Sequence, residues 1–517
     1  MKLPKFARGL TDAVMGAARG GIERRMGGYR QAAHRVDPTL PERVTGDGPR
    51  VAVVGGGIAG ITAATTLAER GFRVTLYERE RYLGGKTGAW AVDVDGDVQL
   101  VDHGFHAFFA HYYNLRGLME RAGVTAKLKR IESYEILRRD GTRISIKDVE
   151  TAPLLNLLGL ASTGVYSVRD LLFSKRLYKL DPFLRYDEAV TFRDWDHVAY
   201  DDFVRDADLP GDLRLVFNTF ARAFFSEGDR LSVAALVRAF HFYYLSNDGG
   251  LLYDYLDDDY ETAFAGPLRR RYESLGGTVV LGAEVQGVDP DEGARWRVAG
   301  EPYDAVILAS DVKGTKRIIE GSPALRERHP AFAERVARQR CSQRYAVLRL
   351  WMDRDATGEL PVFVITDRLR ALDAVTAVHR VVPAAREWAA LNGGGVYELH
   401  CYAVPDAMSE PELRAALVEE LEHYLPALKG ATAVREYLHV RDDFAAFHVG
   451  THAERAEVET GVEGLYLAGD WVRLPFPATL MEAACASGLL AANAALRTAG
   501  LRDAEVWSVP KRGILAR

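Results

Sequence analysis

The chain has 517 residues, 48% of them apolar and 27% charged, with a formal net charge of −6. That balance is ordinary for a folded globular protein of two or three domains, and it gives no electrostatic basis for nucleic acid as a partner. Cys341, Cys401 and Cys485 lie far apart and form neither a metal signature nor a disulfide framework, which fits a reducing cytoplasm, and no run of 18 apolar residues offers a membrane span.

From Met1 to Arg35, eight lysines or arginines stand against two acids. Leu3, Phe6, Leu10, Val14 and Ala17 recur at helical spacing. A basic amphipathic helix is expected, either docked on the protein's own body or lying on the inner face of a membrane as a peripheral attachment. No apolar h-region follows the charges, so this is not a secretory signal. Pro38, Pro41, Gly46, Gly48 and Pro49 mark a linker.

Val51 to Glu78 reads as a complete dinucleotide-binding βαβ unit. Val51–Val54 is a buried strand, Gly55, Gly57 and Gly60 fill a G-x-G-x-x-G turn, a helix opens at Ile58 and Ala59, and Phe72–Tyr77 is a second strand with Glu78 at its end. Gly55 permits the tight turn, Gly57 lets the backbone approach a pyrophosphate, and Gly60 lets helix and strand pack closely. The helix N-terminus offers N–H groups to the phosphates, while Glu78 can bind ribose hydroxyls and repels a 2′-phosphate. Beyond Arg79, a second glycine cluster (Gly84, Gly85, Gly88) with Lys86 lets backbone pass close to something bulky, which a plain nicotinamide dehydrogenase does not need.

His103, His106 and His111 sit among aromatics with no carboxylate at ligand spacing, so no metal site is expected. The uncharged run 151–168 is too short and polar to span a bilayer; it reads as a buried helix or as a monotopic patch admitting an apolar substrate from lipid. The aromatics between Phe217 and Tyr255 read as core, of which some of Phe225, Phe240, His241, Phe242, Tyr243 and Tyr244 are expected to line an apolar cavity. The chain then returns to the nucleotide through 266–288 and 303–311. Residues 331–445 revisit the other domain, and 465–471 form a strand ending in Gly469 and Asp470. The small-residue helix 480–496 is suited to pack against a flat ring.

The G-x-G-x-x-G turn, LGGKTG, and LYLAGDW followed by MEAA and SG resemble the amine-oxidase and phytoene-desaturase class of FAD flavoproteins. HGFHAFFAHYYNLRGLMERAG, FHFYYLSNDGGLLYD, YELHCYAV and LAGDWVRLPFPATLMEAACASGLLAAN are similar to its carotenoid branch, the ζ-carotene desaturases and, more closely, the β-ring desaturase/methyltransferases that make aromatic carotenoids. The resemblance spans about residues 50–500. It implies an α/β fold: an FAD-binding Rossmann-like domain of glutathione-reductase type (50–130, 256–330, 446–500) with a discontinuous α+β substrate domain (131–255, 331–445). Residues 1–49 would be a basic extension and 501–517 a C-terminal tail.

By the same resemblance, Gly55, Gly57, Ile58, Ala59 and Gly60 hold the FAD pyrophosphate, and Glu78 and Arg79 stand at the adenosine ribose. Gly84, Gly85 and Lys86 form the second glycine motif, with Lys86 where an arginine is common. Val285 meets the adenine, Gly469 and Asp470 the ribityl and pyrophosphate region, and Thr479, Leu480, Met481 and Glu482 the isoalloxazine ring. Gly104, Phe105 and His106 face the flavin. The expected reaction is hydride transfer from an apolar isoprenoid, a carotenoid by this branch, to flavin N5, with His106 and Glu482 as candidate proton acceptors and quinone or oxygen as electron acceptor. A hydroxysqualene dehydroxylase-like enzyme on the same framework is the alternative. A lipid-binding chaperone like the Rab GDP-dissociation inhibitors is a further one, against which Gly55, Gly57, Gly60, Glu78 and Asp470 argue.

Overall fold

The computed structural model describes residues 5–147, 149–164, 180–208, 211–250, 252–291, 295–356 and 360–516. Residues 165–168 of the uncharged run lie outside these, as do Leu3 and the side chains of Phe6, Leu10 and Val14.

Two sheets organise the molecule. The first has five parallel strands in the order Thr278–Leu281, Arg73–Glu78, Arg50–Val54, Ala305–Leu308, Leu465–Leu467. Its central strands read as unbroken apolar runs because the sheet is covered, by helices and by the small antiparallel sheet of Val288–Pro290, Trp296–Val298 and Glu301–Tyr303: Val51, Ala52 and Val53, and Val306, Ile307 and Leu308, are wholly buried. The helix Ile58–Glu69 lies on one face, and the helix Leu480–Thr498 packs on it. Small residues permit that approach. A Cβ on Gly488 would stand 2.3 Å from the Ala59 carbonyl oxygen, and Thr62 Oγ1 lies 3.5 Å from Cys485 Sγ. The small residues of 480–496 thus serve mainly this helix pair and not a flat ring; Leu480, Met481 and Ala484 are the ones that reach the cavity described below.

The second sheet has seven strands in the order Ala433–Arg441, Tyr345–Met352, Gly395–Cys401, Ala374–Ala377, Phe363–Thr366, Ser133–Leu137, Arg143–Lys147. The segments on either side of the second nucleotide visit therefore share one sheet. Its middle is buried on both faces and carries an ion cluster: Arg349 pairs with Glu398 at 2.5 Å and Asp102 at 3.1 Å. Burial and the Glu398 charge raise Asp102 to about 7.

The two ends of the chain meet. Gln31–Ala32 pairs antiparallel with Trp507–Ser508, and the Arg30 guanidinium lies 4.1 Å over the Trp507 ring. Met26, Tyr29 and Ile514 form a small buried cluster. Residues 501–516, the expected C-terminal tail, pack against residues 26–33. The basic segment is helical over Lys5–Met26, and Arg19 pairs with Glu150. Among the described residues, no helix is long and apolar enough to cross a membrane.

Candidate functional site: a nucleotide cleft joined to an aromatic cavity

At the carboxyl ends of the parallel strands opens a cavity of about 810 Å³ that continues beneath the seven-stranded sheet. Its nucleotide half is built mainly from backbone. Gly55 has φ +113°, and a Cβ there would lie 2.7 Å from the Ala309 backbone; one on Gly60 would lie 1.8 Å from the Gly55 carbonyl oxygen. The two glycine motifs are stitched together, since Gly84 N–H donates to the Gly56 carbonyl at 2.8 Å. Gly57 caps the 58–69 helix without any side-chain hydrogen bond, so the helix amides at Ile58 and Ala59 face the cleft uncapped.

Glu78 is nearly buried, its carboxylate accepting from Gly56 N at 2.6 Å and Glu80 N at 2.8 Å. Burial raises its pKa against those donors. Each oxygen keeps a second lone pair for a ribose hydroxyl. Arg79 stands at the same rim, 3.8 Å from Asp311, and Val285 follows where Ala283 N–H donates to the Glu78 carbonyl. Across the cleft Lys86 pairs with Asp470 at 3.0 Å and lies 4.4 Å over the Phe444 ring. Burial alone would lower the Lys86 ammonium, but the Asp470 and Asp443 carboxylates raise it. Gly469 has φ +148° with its N–H on Ser487 Oγ at 2.8 Å. This cradle of bare amides, glycines and an acid fits FAD: Gly57, Ile58, Ala59, Gly85 and Lys86 would hold the pyrophosphate and Glu78 the ribose.

Leu480 and Met481 border the cavity, and Leu480 holds φ +48°, a strained value for a bulky residue. Phe105 and His106 form the opposite wall. His106 Nδ1 lies 2.7 Å from the Gly104 carbonyl, and Tyr260 Oη accepts from His106 N–H at 2.9 Å. Burial lowers the ring's pKa, although Asp102 and the carbonyls of Gly104 and Lys86 favour its charged form. Gly104 itself faces away: its N–H donates to Asp102 and a Cβ there would strike His400. Thr479 is the N-cap of the 480–498 helix and is buried off the cavity.

Glu482, a candidate proton acceptor by sequence, stands apart from the cavity. It is 2% exposed and off the cavity, and its oxygens accept from Asn114 N at 2.9 Å, Asn114 Nδ2 at 2.6 Å and Leu115 N at 3.0 Å. Those amides open the helix Tyr113–Arg121, whose own N-cap, Tyr112, supplies no side-chain acceptor. Glu482 caps a neighbouring helix and does not line the cavity. Burial pushes it up to about 8 against the pull of these donors.

The other half of the cavity is aromatic. Of the six candidate wall residues, Phe225, Phe240, Tyr243 and Tyr244 line it. His241 and Phe242 do not: His241 stacks on Tyr186 with Nε2 2.7 Å from the Pro510 carbonyl, and Phe242 packs on His111. Phe240 to Tyr244 are consecutive, and consecutive residues of a helix, here passing into a π-helical stretch at His241–Leu245, point to different sides, so only some of them can face one cavity. Ser310 and Asp311, the small residue and the acid that end the segment 303–311, line the cavity beyond the strand Ala305–Leu308 at the carboxyl edge where ligands of such sheets bind, a place that sequence reasoning gave to the segment and not to these two residues by name. Sequence reasoning passed over Phe363, stacked 4.8 Å from Phe105, for which no local signal exists.

The chain belongs to the flavin-containing amine oxidoreductase family, whose model matches residues 58–496. It is an FAD-dependent oxidoreductase. It is 35% identical over 502 residues to a carotenoid phi-ring synthase of Streptomyces griseus, spanning 95% of this chain and 96% of the relative. It is 28% identical to one of Chlorobaculum tepidum, with 98% of each chain aligned. Among solved structures, a putrescine oxidase covers 87% of this chain and 99% of its own at 17% identity with a TM-score of 0.62, a likeness of fold.

Proposed function

We propose that this enzyme oxidises the β-ring of a carotenoid to an aromatic ring, with methyl migration. The observation that carries the reading is the similarity, at 35% identity over nearly the full length of both chains, to a carotenoid phi-ring synthase, joined to a cavity whose substrate half is mostly aromatic and aliphatic. FAD, when bound, supplies an acceptor for hydride. The chain's own residues do the rest. Phe105, Phe109, Phe220, Tyr243 and Phe363 hold an apolar polyene by area and ring contact, and they exclude water from the reacting ring. Each desaturation also releases a proton. His106, neutral and on the wall, is our candidate acceptor, with Asp102 close enough to favour its charged form.

The substrate would arrive from lipid. Leu157 and Leu160 of the helix Leu155–Ser162 form part of the cavity wall, and Glu150 just before it is paired to Arg19 of the basic helix. A basic helix beside an apolar cavity end suits an anionic membrane face.

Pigments from bacterial strains accumulating lycopene, ζ-carotene or β-carotene, each expressing this chain, test the reading by chromatography. An aromatic-ring product from the β-carotene strain alone is expected; a red-shifted acyclic product would replace it with linear desaturation. Co-sedimentation with anionic but not neutral vesicles tests the membrane contact.

A further inference from the structure

The apolar half of the cavity contains a group of polar atoms that the protein leaves unpaired. Asn156 is 1% exposed, and its Nδ2 donates to the Tyr244 main-chain carbonyl at 2.6 Å. That bond fixes the orientation of the amide, so the atom turned the other way is Oδ1, and Oδ1 has no hydrogen-bond partner. Tyr253 Oη is likewise buried without a partner, as is Thr219 Oγ1. All three residues line the cavity, together with Tyr134, Tyr244 and Tyr402. The Tyr134 and Tyr253 rings lie 5.8 Å apart, and Tyr253 senses the Tyr134, Tyr402 and Tyr244 phenols electrostatically. By contrast, the Tyr112 and Tyr243 hydroxyls nearby satisfy one another at 2.8 Å.

A buried polar atom left unpaired costs free energy, and a wall meant for a pure hydrocarbon is better served by leucine or phenylalanine. The kinds of atom narrow the ligand. Oδ1 can only accept, so it requires a donor; a phenol can donate. A carbonyl-bearing ligand satisfies the phenols and leaves Asn156 empty. A hydroxyl can serve either kind of atom, donating to Asn156 Oδ1 or accepting from a phenol such as Tyr253. Phe105, which faces Tyr253 at 6.0 Å, places this group close to His106 and the reacting end.

Resting on the functional reading above, we infer that the cavity takes a hydroxylated isoprenoid, a carotenoid carrying an alcohol at or near its ring, and that Asn156 with Tyr253 reads that alcohol. The hydrocarbon also fits, with the polar atoms then left unserved. A site that pairs a substrate hydroxyl discriminates against the analogue lacking it, so the hydroxylated substrate should be preferred about tenfold or more in kcat/KM.

The test uses the flavin-loaded enzyme with β-carotene and with its 3,3′-dihydroxy counterpart in the same detergent. Binding is read by the shift of the polyene absorbance on mixing without an electron acceptor, and turnover by chromatography. Tighter binding and faster turnover of the dihydroxy compound are expected. Asn156→Leu and Tyr253→Phe should each cut its kcat/KM relative to that of β-carotene by about tenfold, while Asn156→Asp, which keeps an acceptor, should hold most of the preference. Equal handling of both compounds by the wild type, or an unchanged ratio in both variants, overturns the inference and points to a buried water on Oδ1. In that case aromatic product from β-carotene would leave the functional reading standing. Failure to turn over either compound, with flavin bound, would count against both.

Discussion

The two halves of the cavity are made of different material. The nucleotide half is backbone: turns, free amides and strand ends, in which side chains matter mostly by being absent. The aromatic half is side chain throughout, with rings contributed by the strands near Ser133–Leu137 and Phe363–Thr366 and by the segments around Phe109, Phe220, Tyr243 and Tyr253. A backbone site is intolerant at single atoms, because a Cβ on Gly60 meets a carbonyl oxygen that cannot move. A side-chain site is tolerant, because neighbouring rings repack around a loss. Cofactor identity is therefore held rigidly, while substrate choice is open to change by ordinary substitution.

Gly60→Val should show this difference at its largest. It forces the helix Ile58–Glu69 off the strand before it, and the purified protein should lack flavin absorbance altogether. Phe220, which contacts Phe224, Phe240, Tyr243 and Tyr244, belongs to the other half. Phe220→Ala should keep a full complement of flavin and lose about 10- to 100-fold in kcat/KM. If flavin content falls with it, the halves are not independent and the contrast fails.

The same contrast explains what the sequence made legible. Gly55, Gly57, Gly60, Glu78 and Asp470 stand at fixed spacings because phosphate and ribose geometry demand particular residue types at particular backbone positions, and such demands leave a written pattern. Phe363 could be many apolar residues and gains its meaning only from Phe105, more than 250 residues earlier, so nothing local marks it. Which of the aromatics 240–244 face the cavity was not legible, because all five are apolar or aromatic and only the packing decides that His241 and Phe242 turn the other way. Glu482 was misread because its partners, Asn114 and Leu115, belong to a distant helix.

Acidity acts mainly through buried groups. Burial lowers His111, His400 and His439 to about 3 and His241 to about 4, while Asp102 and Glu482 are raised to about 7 and 8. For the histidines the folded values lie below the unfolded one, so their stabilising effect is intact above pH 6.5 and is lost as pH falls toward 4. For the two carboxyls the folded values lie above the unfolded ones, so theirs is present at low pH and is lost as pH rises through 7 to 8. Stability of the flavin-loaded protein should therefore peak near pH 6 to 7, decline by about 1–3 kcal/mol per pH unit on the acid side and by less than about 1 kcal/mol per pH unit on the alkaline side, levelling off toward pH 9, as Tm between pH 4.5 and 9 would record. A flat profile would mean that water or the cofactor relieves these groups.

The smallest effect expected is that of Glu482→Gln. One amide oxygen replaces a carboxylate capping Asn114 and Leu115, which should cost about 1–2 kcal/mol in thermal or denaturant unfolding, with flavin content and the pH profile of turnover unchanged. Loss of turnover at unchanged stability would return Glu482 to the chemistry.

The strand order of the parallel sheet bears on how the protein is made. Its strands leave the ribosome across more than four hundred residues, and the edge strand Leu465–Leu467 and the helix Leu480–Thr498 come last of all. Until they emerge, Lys86 lacks Asp470 and the 58–69 helix lacks the neighbour that Gly488 lets in so closely. The nascent chain therefore carries the glycine turns of a flavin site long before it carries a site. Flavin capture waits for the segment 465–498, and a shortage of the vitamin would be felt by chains already past that point.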